Sequence, residues 1–205
     1  MKHGIKMVYL KTPDGKVYAI DESFWGSTKV DIKGLRGNQE TVTGNNVPMY
    51  SYPDPEKPTI AWSVNSLGMD LISQVTGQVA QGEDGLYAPS DTLPDVGFVV
   101  VTDDIGDKNK KQRVYAFPRC KATYSADNLS TDTDSKRTMI VDDLNLNALY
   151  DRAIDNTYIW GDVSDLNTVW TTLGWDKPIE GAGPQASDEA SSSAPKVTTG
   201  DKGHA

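Results

Sequence analysis

The chain has 205 residues, 37% of them hydrophobic, and a formal net charge of −9. This acidic balance excludes a protein that wraps DNA, because such proteins neutralise phosphates with clustered lysine and arginine. The single cysteine, Cys120, excludes an intrachain disulfide and is predicted to be a small buried strand residue.

The N-terminal region is predicted to contain three strands. Apolar runs at Lys6–Lys11 and Lys16–Ile20 flank the turn signal Pro13-Asp-Gly15, which is typical of a β-hairpin. Thr28–Lys33 alternates apolar and polar residues and is predicted to be the third strand.

The segment 34–58 differs from its surroundings because it is rich in glycine and proline. These residues are Gly34, Gly37, Gly44, Pro48, Pro53, Pro55 and Pro58, with Asn45-Asn46 among them. Proline removes backbone donors, so a regular interior strand is not expected over the second half. We predict a long extended loop, or arm, whose adhesive side chains are Val47, Met49, Tyr50 and Tyr52.

A strand followed by a short helix is predicted next. Thr59–Val64 alternates like a half-buried strand, and Asn65-Ser66 offers an N-cap to the residues that follow. One apolar helix face is formed at i, i+4 and i+8 by Leu67, Leu71 and Val75. Gly77 is predicted to end this helix.

The remaining apolar runs predict further strands. Val96–Val101 and Arg113–Phe117, joined by the polar segment 103–110, are typical of a β-hairpin. Lys121–Ala126 and Lys136–Val141 are predicted to be strands as well. Later apolar positions are Leu144, Leu146, Leu149, Tyr158–Trp160 and Val169–Trp175, and the leucines either close the last strand or open a short irregular helix.

The C-terminal residues have a different composition. Beyond Trp175 there is no Phe, Tyr, Trp, Leu or Met, and 181–195 is of low complexity. Such a segment cannot bury enough apolar surface to offset its ordering entropy. We therefore predict one domain, residues 1–175, and a flexible, disordered tail, residues 176–205. The domain is predicted to be mainly β, a sandwich or barrel of two packed sheets with one flanking α-helix.

No reaction centre is recognisable in the sequence. His3 and His204 stand apart from any candidate nucleophile, and no Cys/His cluster has zinc spacing. Asp132-Thr-Asp134 begins like a calcium loop, but Arg137 stands where the turn glycine belongs. We therefore expect no enzyme activity, no cofactor and no metal. No apolar run approaches the roughly 18 residues of a membrane helix, and the first residues lack the apolar part of a signal peptide.

Five aromatic residues leave a binding role open: Trp62, Tyr115, Trp160, Trp170 and Trp175. They could line a sugar-binding groove, although alternating strand positions favour packing in a core. A carbohydrate-binding β-sandwich is therefore an alternative.

The order of elements over residues 59–150 resembles that of a known family. The pattern consists of the strand and helix Thr59–Gly77, the turn Glu83–Tyr87, and the strands Pro94–Val101, Val114–Ala122 and Thr138–Leu144. It is similar to the major tail proteins (tail tube proteins) of siphophages that infect Gram-positive bacteria. An alternative within the same class is another non-enzymatic virion component of related fold, such as a neck or terminator protein.

The resemblance implies a structural virion protein that forms hexameric rings, which stack into a tail tube with a continuous β-barrel as inner wall. It implies a tape measure protein and a tail terminator as partners, DNA passing through the lumen without specific binding, and assembly in the host cytoplasm. Stacking closes exposed sheet edges, and acidic lumen residues would repel DNA. The arm 34–58 would reach a neighbouring ring through Val47, Met49, Tyr50 and Tyr52, unless it folds on its own subunit.

Overall fold

The computed structural model describes residues 2–82, 85–104, 111–126 and 141–184. Its strands are β1 Lys2–Lys11, β2 Val17–Ala19, β3 Ser27–Lys33, β4 Gln39–Gly44, β5 Val47–Pro53, β6 Thr59–Val64, β7 Val79–Gln81, β8 Leu86–Ala88, β9 Asp95–Asp104, β10 Gln112–Ala126, β11 Asp142–Ala148 and β12 Ile159–Val163. The helices are α1 Met69–Thr76, α2 Asn167–Leu173 and the short 3-10 helix Glu22–Phe24.

Eight strands form one antiparallel sheet in the order β2-β1-β9-β10-β11-β6-β3, with β12 paired to β10. The long strand β10 pairs with β12 over Gln112–Ala116 and with β11 over Cys120–Ala126. Its register with β9 shifts between Phe117 and Cys120, and such a bulge bends a strand. The sequence predicts two strands here, whereas the structure has one. Pro118 lies inside the bulge, where proline is tolerated.

The two halves of this sheet pack on one another around the main core. Trp62 of β6 and Phe98 of β9 are both buried, with their ring centroids 5.3 Å apart. The helix α1 closes this core with Leu71 and Val75, preceded by Leu67. The predicted mainly β, sandwich-like fold with a flanking helix is confirmed.

The helix α1 begins later than predicted. Its N-cap is Gly68, which makes no side-chain cap, rather than Asn65-Ser66. The Leu67 N–H donates instead to the carboxylate of Asp142 in β11, at 2.7 Å. Because Leu67 precedes the N-cap, this bond holds the chain ahead of the helix and does not cap the helix itself. The helix ends as predicted at Gly77, whose φ of 70° is in the left-handed region.

A second core lies on the other face of β1, β9 and β10. The helix α2, which the sequence does not predict, covers it with Val169, Trp170 and Leu173. The rings of Tyr9 and Trp170 meet edge to face at 4.7 Å, and Trp175 stacks on Trp170. Two flanking α-helices are therefore present among the described residues instead of the predicted one. Valine, tryptophan and threonine are weak helix formers, which hides α2 in the sequence.

The C-terminal segment is attached to the sheet beyond the predicted domain boundary at 175. The Ile179 N–H donates to the Val17 carbonyl at 2.7 Å, and the Ile179 carbonyl accepts from the Ala19 N–H at 2.9 Å. Residues 176–184, predicted as tail, thus run beside β2. The other predicted tail residues, 185–205, lie outside the described residues.

The N-terminal hairpin, β3, and the β9–β10 hairpin are confirmed. Of the leucines that follow the predicted strand Lys136–Val141, Leu144 and Leu146 belong to β11, so the strand interpretation is correct for these two, whereas Leu149 follows the end of β11. Most of that predicted strand lies outside the described residues, as do Asp132 and Asp134.

Candidate subunit interface

The segment predicted as a long loop is a β-hairpin. The strands β4 and β5 form a separate two-stranded sheet, joined by Asn45 and Asn46 with φ of 51° and 62°. Two left-handed residues between paired strands are typical of a type I′ hairpin turn. The prediction of an irregular extended arm was therefore wrong in its local structure.

The prolines of this segment are compatible with a hairpin because both strands are edges. A two-stranded ribbon has outward-facing positions where a missing N–H breaks no ladder bond. Pro48 lies opposite Thr43, and Val42 lies opposite Tyr50. Met49 has no residue opposite it and forms a bulge. Proline is excluded from interior strands, but β4 and β5 are both edge strands, so the restriction does not apply to them.

The base of the hairpin is a close approach of two backbones. The Asp54 N–H donates to the Asn38 carbonyl at 2.8 Å. A Cβ on Gly37 would lie 1.7 Å from the Asp54 carbonyl oxygen, and one on Gly34 would lie 2.3 Å from that of Lys57. Because these two positions are glycines, the chain can leave the rest of the domain and return to it at one place.

The hairpin has the composition of an interface. Every side chain described from residue 38 to residue 53 is exposed. Glu40 is the only charged residue from 39 to 53, although 24% of the chain is charged. Its carboxylate accepts a hydrogen bond from the Tyr52 hydroxyl at 2.9 Å. Interface cores are depleted of charge and enriched in tyrosine and methionine.

The four predicted contact residues all lie on β5, and three of them share one face. Tyr50 pairs with Val42 and Val47 pairs with Gly44, two residues further along β4, so Val47 lies on the same face as Tyr50 and Tyr52. Met49 lies in the bulge between the two registers. Met49 is 72% and Tyr50 65% exposed. Tyr50 and Tyr52 stack at 6.1 Å, and Val42 joins their face from β4. Only the register reveals Val42, so sequence reasoning missed it. The ring-to-ring role of these residues stays a prediction.

The other aromatic candidates form no common groove in the structure. Three of them are buried in the two cores, which confirms the packing interpretation: Trp62, Trp170 and Trp175. Trp160 is 58% exposed and stacks on Tyr115 with ring centroids 6.1 Å apart. The guanidinium carbon of Arg113 lies 5.3 Å from the centroid of Trp160.

A chemical centre is not seen in the described part of the chain. Its His, Cys, Asp and Glu residues form no group of three that could hold a metal ion. Cys120 is buried, and burial raises the pKa of its thiol, so it is not a nucleophile. Among the described residues, no helix has the length and apolar character needed to cross a membrane.

One half of the main sheet has an uncovered polar face. Across β10, β11, β6 and β3 the register aligns Thr123, Asn145, Ala61 and Asp31 in one row. None of the large exposed apolar side chains of the described residues lies on this face. Its charged residues are Lys29, Lys33, Lys121, Asp31 and Asp143. Lys29 pairs with Asp31 at 2.8 Å, so the face is close to neutral.

A family model described as phage tail tube protein matches residues 2–161. The match therefore includes the hairpin and the uncovered polar face, and it ends within β12. No curated protein matches the sequence.

Proposed function

Because the chain belongs to the phage tail tube protein family, we propose that it assembles into hexameric rings that stack into the tube of a siphophage tail. Membership itself places the chain in a family of structural proteins of the virion tail. The proposal also includes a six-fold ring, a Gram-positive host, passage of DNA through the tube and assembly in the host cytoplasm. A tape measure protein and a tail terminator are the proposed partners.

The exposed hairpin is the observation that carries the assembly proposal. Its strands have seven residues at most and so reach about 23 Å from the glycine base. A subunit that stayed alone would keep the apolar side chains of Val47, Met49, Tyr50 and Tyr52 in water. Such a surface on a soluble protein marks an interaction site. Contact with the next ring would cover it.

The uncovered polar face supports a second part of the proposal, that β3, β6, β11 and the second half of β10 line the lumen. Small uncharged side chains such as Thr59, Ala61 and Asn145 present nothing adhesive to passing DNA. The acidic wall expected from the sequence does not fit this face, because its charges nearly balance. A wall that neither attracts nor strongly repels phosphate suits passage without specific binding.

Electron microscopy of the purified full chain tests the proposal. Across a concentration series we expect rings and hollow tubes with six-fold end views. Small monomers at every concentration would refute self-assembly, and tubes of another symmetry would refute the hexamer.

A hairpin-less variant tests the role of the hairpin in the same experiment. Residues 39–53 are replaced by Asn-Gly, a turn that can join Asn38 to Asp54 because their backbones are already hydrogen-bonded. We expect a folded subunit that forms no tubes. A variant ending at Pro184 is the control, and normal tubes from the hairpin-less variant would refute the hairpin contact.

A further inference from the structure

A flat aromatic surface lies at the edge of β12. Trp160 is 58% exposed there, although tryptophan is highly buried on average. Tyr115 of β10 lies opposite Trp160, and the two rings are almost parallel, at 9°, with their centroids 6.1 Å apart. Tyr115 therefore covers one face of the indole. Among the described strands β12 pairs with β10 alone, so the other indole face lies on the side without a strand and is open to solvent.

An ion pair fixes the surroundings of this surface. Arg113 and Asp162 form the next cross-strand pair on the same face. Arg113 donates to both carboxylate oxygens of Asp162, and its Nη2 contact measures 2.6 Å. The guanidinium carbon also lies 5.3 Å from the centroid of Trp160. Because a bidentate pair has a defined geometry, Tyr115 and Arg113 hold the indole in place before any ligand arrives.

Core packing does not account for this arrangement. Trp160 belongs to neither core, whereas Trp62, Trp170 and Trp175 do. Beside it, a Cβ added to Gly161 would have no atom within 4 Å. A glycine inside a strand often marks a place where a ligand or another backbone approaches closely. The edge of β12 therefore has open space next to an exposed, rigidly held indole.

We propose that Trp160, Arg113 and Asp162 form a binding site for a neutral pyranose, such as a hexose unit of a polysaccharide. A pyranose has a flat face of C–H groups, which packs on the face of an indole. Its hydroxyl groups both donate and accept hydrogen bonds, and the ion pair offers a donor and an acceptor beside the indole. Because the two charges compensate each other, a ligand of either charge gains little there.

Saturation-transfer difference NMR of the full chain tests this site. The probes are the methyl glycosides of glucose, galactose, mannose and N-acetylglucosamine, with glucuronic acid and glucosamine as charged comparisons. We expect the ring protons of at least one neutral glycoside to receive saturation, with a millimolar dissociation constant. Trp160→Ala should weaken this binding by about tenfold or more, because stacking is lost. Trp25→Ala is the matched control, since Trp25 is 57% exposed and lies outside β10 and β12.

Several outcomes would overturn the inference. They are the absence of binding by every neutral glycoside, binding of the charged sugars alone, binding that survives Trp160→Ala, and binding that Trp25→Ala also removes. If no sugar binds and Trp160→Ala prevents self-association, the aromatic surface is a contact between subunits instead.

Fluorine NMR of protein that contains 5-fluorotryptophan covers the case in which Trp160→Ala does not fold. The neutral glycoside should shift the resonance of Trp160, assigned with Trp160→Phe, and leave that of Trp25 in place. A shift of Trp25 alone, or of neither resonance, would overturn the inference. Both experiments use the subunit, so their results do not depend on tube assembly. If the subunits also stack into a tube, the site repeats in every copy, and repeated weak sites bind a polymer with avidity.

Discussion

Truncating Tyr50 to alanine gives a quantitative test of the hairpin contact. Tyr50 is 65% exposed in the subunit. Since an aromatic side chain buries roughly 150–250 Å² when covered, the contact can remove about 130 Å² from water. At ~25 cal/mol per Å² this area corresponds to about 3 kcal/mol. Alanine keeps part of the contact, so we expect a loss of about 2 kcal/mol, or about 30-fold in the association constant.

The assay is the critical concentration for tube formation, measured by sedimentation and checked by electron microscopy. We expect it to rise by about 30-fold for Tyr50→Ala. The free energy of unfolding of the subunit, measured in urea, should change by less than about 0.5 kcal/mol, because the side chain is exposed. Tyr150→Ala, a similarly exposed tyrosine outside the hairpin, is the matched control. A critical concentration equal to that of the unmodified chain would refute the reasoning.

Three further predictions concern other parts of the molecule. Asp142→Ala removes the acceptor of the Leu67 N–H and the Tyr124 hydroxyl. We expect the free energy of unfolding, measured in urea, to fall by about 2 kcal/mol. Asp142→Asn should lose less because it keeps an acceptor oxygen. If the uncovered polar face lines the lumen, the thiol of Ala61→Cys should react in tubes with a small maleimide but not with a dextran-linked one; equal labelling by both would contradict this. Burial raises the pKa of the Cys120 thiol. Above about pH 8.5 the unfolded chain therefore binds fewer protons than the folded one, and the free energy of unfolding should fall with rising pH. A Cys120→Ala variant whose free energy of unfolding falls equally steeply with pH would contradict this.

The sequence predicted well where structure depends on local patterns. Alternation defined the strand Thr59–Val64, and Gly77 defined the end of α1. The sequence predicted less well where contacts with residues distant in the chain determine the local structure. The chain ahead of α1 is held by Asp142, which reaches Leu67 from β11, and α2 is stabilised by the core beneath it rather than by helix propensity.

The hairpin shows both the strength and the limit of sequence reasoning. The adhesive residues were identified from their types, and Asn45-Asn46 was a visible turn signal that the surrounding prolines outweighed. What the sequence could not provide was register. Register decides that Val42 faces Tyr50 and that Met49 bulges from the ladder. That information also places Val47 on the same face as Tyr50.

The attachment of the C-terminal segment to β2 has a consequence for synthesis on the ribosome. The Gly181 N–H donates to the Asp21 carboxylate, 160 positions earlier in the chain. The N-terminal hairpin is made first, yet its outer edge stays open until the last part of the domain emerges. An open edge can pair with strands of neighbouring nascent chains. Translation of residues 176–184 is therefore the step that closes this edge, and a chain released before that point would expose it in every copy.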